Sequence, residues 1–132
     1  MRAAVACVDA LYTVDLDAEE VIGRDEDDSL EPAAALELGL PLVIATDAVG
    51  STVVAVVDRR PPLAISHDAG RTWRESGGGL PRGRAVAVAD DDPDTILYAG
   101  RNRIYLSTDG GRFWRSLAPE LPEIRAVEWL GY

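Results

Sequence analysis

The octapeptide Ser66-His67-Asp68-Ala69-Gly70-Arg71-Thr72-Trp73 returns 41 residues later as Ser107-Thr108-Asp109-Gly110-Gly111-Arg112-Phe113-Trp114. Self-similarity at a fixed period marks a fold made of stacked copies of one small unit, each unable to bury its apolar face alone. Any reading of this chain therefore starts from the unit and asks how many copies there are.

One period divides into four β runs. Arg84–Ala89 and Thr95–Ala99 flank a turn at Asp90, Asp91, Asp92, Pro93 and Asp94; Gly100–Asn102 turns the chain into Arg103–Ser107, and Phe113–Leu117 follows the second octapeptide. Shifting back by the period gives Leu42–Thr46, Thr52–Val57, Leu63–Ser66 and Arg71–Glu75. Residues 42–75 and 84–117 are thus two four-stranded units, and their period is that of a β-propeller blade. A third, degenerate unit over 2–23 has runs at Arg2–Val8, Leu11–Val14 and Glu20–Gly23 but no opening strand. Residues 123–130 supply an opening strand with nothing after it, so they are expected to complete the blade at 2–23. The fold class expected is all-β, about three four-stranded blades in one domain over 1–132.

Each residue of the repeated phrase has a mechanical use. Asp68 and Asp109 follow a strand, where a short carboxylate accepts hydrogen bonds from the next backbone N–H groups and closes a turn. Gly70 and Gly111 supply backbone freedom, and Trp73 and Trp114 fold back as apolar plugs. The phrase, with Ser66 and Ser107 at its head, resembles the Asp-box, S-x-D-x-G-x-T-W, of the sialidase-type (BNR) propeller superfamily, over roughly residues 42 to 117. The resemblance implies that the boxes are structural and lie away from the active face. Phe113 stands where the pattern has Thr72, so one hydroxyl contact is expected to be missing. Three blades fall short of the four to eight that make a ring. The expectation is a homodimer forming a six-bladed ring, the C-terminal strand of each chain completing its partner's first blade.

Composition bounds the rest. At 132 residues with 47% hydrophobic content the chain is long enough for one packed core. The run after Met1 is too short for a signal segment, and no apolar stretch approaches the ~20 residues of a membrane span; a cytoplasmic protein with no membrane partner is expected. The net charge of -10 argues against general nucleic-acid binding. All basic residues are arginine, glutamine is absent and Asn102 is the only asparagine, a pattern that fits a thermophile or a GC-rich genome. Cys7, the only cysteine, reads as a small buried strand residue.

Blade topology sorts the arginines. Arg59 and Arg60, Arg101 and Arg103, and Arg82 and Arg84 all fall in connections of one face, whereas the Asp-boxes lie on the other. Arginine's planar fork suits carboxylate, sulfate or phosphate, so this face is the candidate site for an anionic small molecule, a glycan or an acidic peptide. The competing reading pairs these arginines with Asp25–Asp28 of the acidic insert at 24–41. Pro32 to Gly39 of that insert suits a short helix or a slanted cover over the ring. The pattern lacks a DxDxDG loop, and no metal or cofactor is expected. His67 reads as exposed filler, and Ser66-His67-Asp68 as a turn rather than a triad. The resemblance also raises glycoside hydrolysis, but the family's arginine motif and its tyrosine–glutamate arrangement are not recognisable here. The function expected is a non-catalytic binding or scaffold module, the alternative a glycoside hydrolase-like enzyme with a site at the dimer ring centre.

Overall fold

The structure, a computed structural model, describes residues 1–32 and 34–131. Three four-stranded antiparallel sheets make up the molecule. The second holds β4 (Val43–Val49), β5 (Thr52–Val57), β6 (Leu63–Ser66) and β7 (Arg74–Ser76) in chain order, and the third β8 (Ala85–Ala89), β9 (Asp92–Ala99), β10 (Ile104–Ser107) and β11 (Arg115–Ser116). The first runs β12 (Ile124–Leu130), β1 (Arg2–Cys7), β2 (Leu11–Asp15) and β3 (Glu20–Asp25). The second and third are meanders of short strands, the first is closed by β12, and all three are consistent with blade-like units.

Packing of the sheets follows from side-chain alternation. β5 is buried along its whole length, as a continuous Val/Ala run predicts for a strand covered on both sides. Its Val54 and Val56 join Leu63 and Ile65 against Val86, Val88, Ile96 and Tyr98 of the third sheet. From its other face, the third sheet turns Ala85, Ala87, Leu97 and Ala99 to Ala3, Val5, Tyr12 and Val14 of the first. The third sheet is therefore the middle layer, and its inner strand β8 has β4 on one side and β12 on the other.

Closure of the first sheet differs from the sequence expectation in one respect. β12 does complete it, pairing with β1 from Arg2↔Leu130 to Cys7↔Ile124, but it does so within one chain. No exchange with a partner is needed to fill that edge, because the first and third sheets already lie side by side and bring Ile124 next to Cys7. Cys7 is buried there, and burial followed by the charge of Asp9 pushes its thiol up to about 11, leaving it un-ionised at neutral pH.

Two local expectations are also corrected. The outer strands β7 and β11 begin two to three residues later than the repeat suggests, because the backbone of 71–73 and 112–114 is held in the box turns. No helix forms over the described residues of 32–39. Leu36, Leu38, Leu40 and Leu42 alternate at the extended period, and a stretch this short cannot offset helix nucleation. The segment instead runs as a cover, with Leu38 and Leu40 against Ala55, Val57 and Ala64 on the outer face of the second sheet.

Candidate functional site

The two box turns are built alike. Ser66 Oγ donates to Asp68 Oδ1 at 2.7 Å and accepts from the Gly70 amide at 2.8 Å; Ser107 repeats this with Asp109 at 2.8 Å and Gly111 at 2.9 Å. Asp68 Oδ1 accepts from Thr72 N at 2.9 Å, and Asp109 Oδ1 from Phe113 N at 3.0 Å. Asp109 Oδ1 also accepts from Arg112 N at 3.1 Å, and the boxes differ most at the position of Thr72 and Phe113. Thr72 Oγ1 donates to Asp68 Oδ2 at 2.6 Å, whereas Phe113 has no hydroxyl and leaves its ring in solvent, 79% exposed. Ser66 is bonded to Asp68 and not to His67, whose Nδ1 lies 3.3 Å from Thr52 Oγ1, so these three neighbours make a turn and no proton relay.

These bonds set the acid behaviour of the boxes. The Thr72 hydroxyl first, then the Thr72 amide and Ser66, hold Asp68 well below the usual carboxylate range; Asp109 is lowered by the Phe113 amide and Ser107. A carboxyl depressed on folding contributes stability that is present above its unfolded value of ~4 and is lost as pH falls through the folded value. The melting temperature is therefore expected to drop below about pH 4, where the unfolded chain begins to take up these protons. Thr72→Val is expected to shrink that drop, whereas Phe113→Thr enlarges it. Melting curves across the acid range check both signs; an unchanged acid limb in Thr72→Val would sink the assignment.

On the opposite face, Arg59, Arg60 and Arg82 meet around a 120 Å³ pocket with Asp58, Pro62 and Leu80. Arg82 Nε is 3.1 Å from Asp58 Oδ1, and Arg59 Nη1 is 3.7 Å from Glu75. Arg84 and Arg101 converge separately on the two oxygens of Glu123, each at 3.3 Å. Arg60 and Arg103 have no ion pair among the described residues. Five of the six arginines thus fall into two groups rather than one. Their partners are Asp58, Glu75 and Glu123, not Asp25–Asp28 as the competing reading had it. The insert's acidic start is satisfied locally, with Arg24 on Glu26, Asp25 accepting from the Asp27 amide and Asp28 from the Ser29 amide.

Glu123 carried a sequence signal that the arginine count passed over. It closes the connection from β11 to β12, the same class of connection that holds Arg82 and Arg84. Backbone bonds from Ile124 N to Arg101 O at 2.8 Å and from Val8 N to Glu123 O at 2.9 Å pin it there. The pairs are half-exposed to exposed, with Arg82 at 79%, so each contributes on the order of 0–1 kcal/mol and yields readily to a competing anion.

A second concavity of about 410 Å³ lies between the inner strands β4, β8 and β12. Its wall brings Glu31, Asp47, Asp90 and Glu128 together with Arg84 and Arg125. Asp47 is already committed, accepting from the Val88 amide at 2.7 Å and tying the second sheet to the third. Trp129 is packing on this wall, its Nε1 donating to Ala87 O at 2.9 Å. No model of a protein family matches the chain, and no curated protein shows significant similarity to it. What stands is an all-β protein of three four-stranded antiparallel sheets.

Proposed function

We propose that the chain is one half of a six-bladed Asp-box propeller, completed by a second copy, and that its arginine face binds an anionic ligand without chemistry. Three observations support the first part: the blade shape of each sheet, the repeated box turns, and the stacking of the sheets side by side. Six is the only multiple of three within the four to eight blades that close a ring, so two copies satisfy it and three do not. The binding reading is carried by the Arg59–Arg60–Arg82 pocket, where an exposed Arg60 with no ion pair among the described residues stands beside an Arg82 held by Asp58. A carboxylate, sulfate or phosphate group entering this pocket takes the fork of Arg60 and displaces Asp58 from Arg82.

Arg60→Glu is expected to weaken binding of a sulfated oligosaccharide probe by at least about tenfold, the scale of one charge-assisted hydrogen bond. Arg112→Glu, in a box turn, is the control and is expected to leave affinity unchanged. Calorimetric titration checks both; equal affinity in wild type and Arg60→Glu removes the site. A second reading, hydrolysis of glycosides, is favoured only by the carboxylates Glu31, Asp47, Asp90 and Glu128 around the central concavity. A fluorogenic glycoside panel tests it directly.

A further inference from the structure

Neighbouring sheets meet in one repeated way. The turn after the third strand of one sheet docks on the outer strand of the sheet before it. Between the second and third sheets, Arg74 donates to Gly110 O at 2.8 Å, Ser76 Oγ bonds Gly111 O, and Trp114 Nε1 reaches Ser76 Oγ at 3.2 Å. Between the third and first, Arg115 Nη1 donates to Glu19 Oε2 at 2.7 Å and the Ala118 amide to Glu19 Oε1 at 2.9 Å. Among the described residues the same meeting is left unmade twice. The box turn of the second sheet has no outer strand beneath it, and β3, the outer strand of the first sheet, carries no turn.

The contrast is visible atom by atom. A methyl group at Gly111 would lie 2.3 Å from Ile65 Cδ1, across the sheet interface, whereas at Gly70 the nearest atom is its own Trp73 at 3.6 Å. Exposed apolar side chains also remain at these two ends: Ile22 on β3, and Leu36 and Leu42 leading into β4. Yet the outer face of the second sheet is not bare, because Leu38 and Leu40 cover Ala55, Val57 and Ala64. The segment 34–42 stands where the repeat places another sheet.

We propose that residues 34–42 are a removable cover over the surface that receives the first sheet of a second copy, so that ring assembly requires their displacement. The proposal rests on the half-ring reading above. The incoming surface is the free face of the first sheet, where Ala4, Thr13 and Gly23 lie directly opposite one another across β1, β2 and β3. This row of small residues suits close approach against Ala55 and Ala64, and on the same face it is flanked by Arg2 and Asp15 on one side and by Ala6 and Leu11 on the other. A second copy, unlike any other partner, brings both missing halves of the repeated contact at once and closes a two-fold ring.

Light scattering over a concentration series, with hydrogen exchange of 36–42, tests this. Leu38→Asp with Leu40→Asp loosens the cover without altering the surface beneath, and is expected to lower the dimer dissociation constant at least about tenfold, with 36–42 losing protection as wild type dimerises. Thr13→Arg places a long charged side chain on the free face and is expected to give monomers with unchanged circular dichroism. A dimer whose constant is the same in the cover variant overturns the displacement while leaving the ring intact. Monomers for wild type and cover variant alike overturn the ring as well.

Discussion

Tyr98→Ala is expected to destabilise the protein by about 3–5 kcal/mol, the range for deleting a buried aromatic side chain. Tyr98 is fully buried between the second and third sheets, edge-on to Trp114 with ring centroids 5.9 Å apart, and tilted against Tyr105 at 6.0 Å. Its hydroxyl donates to Pro81 O at 2.6 Å, and burial, then Tyr105, push the phenol up so that it stays a neutral donor. Gly83 makes the ring's position possible, since a methyl group there would fall 2.5 Å from the hydroxyl and 2.6 Å from Val56. Tyr98→Phe separates the contributions. It keeps the packing and strands one carbonyl, so it is expected to cost only about 1–2 kcal/mol. Urea unfolding of the three proteins measures this; equal losses for Ala and Phe would mean that the hydrogen bond, not the packing, dominates.

Gly111→Ala is expected to cost about 2–5 kcal/mol, and the equivalent change at Gly70 much less. Both glycines have left-handed backbones, with φ of 89° and 88°, so the conformational penalty of roughly 1–2 kcal/mol is common to both. Only Gly111 adds overpacking, about 1–3 kcal/mol, because the new methyl meets Ile65, which is 1% exposed and has nowhere to move. Ile65→Val in the Gly111→Ala background is expected to recover part of the loss. Matched unfolding curves decide it, and equal costs at the two glycines would show that the second and third sheets do not press together at this point.

Why some features were legible and others not comes down to range. Thr52–Val57 and Leu63–Ser66 were readable to the residue because their continuous apolar runs and flanking turns are local. The late start of β7 and β11 was not, since it depends on how far an aspartate side chain reaches along the following backbone. At 32–39, Pro32 and Gly39 as punctuation left a short helix and a cover both open; the chain takes the helix-free course, in which Leu38 and Leu40 find a surface to lie on while Leu36 and Leu42 stay exposed. Among the arginines, sequence sorted all six to one side by connection type. It did not assign Arg82 to Asp58, Arg59 to Glu75, and Arg84 and Arg101 to Glu123, because those pairings are set by which loops the sheet packing brings within 4 Å.

The pairing of Arg2 with Leu130 gives the molecule a clasp whose two parts lie far apart along the chain. β1 precedes β12 and has one edge unsatisfied until β12 arrives. During that interval the second and third sheets fold on local hairpins, which close quickly, while the first waits on a loop that spans both of them. Ala3 to Cys7, apolar throughout, is the stretch left exposed to wrong partners in the meantime.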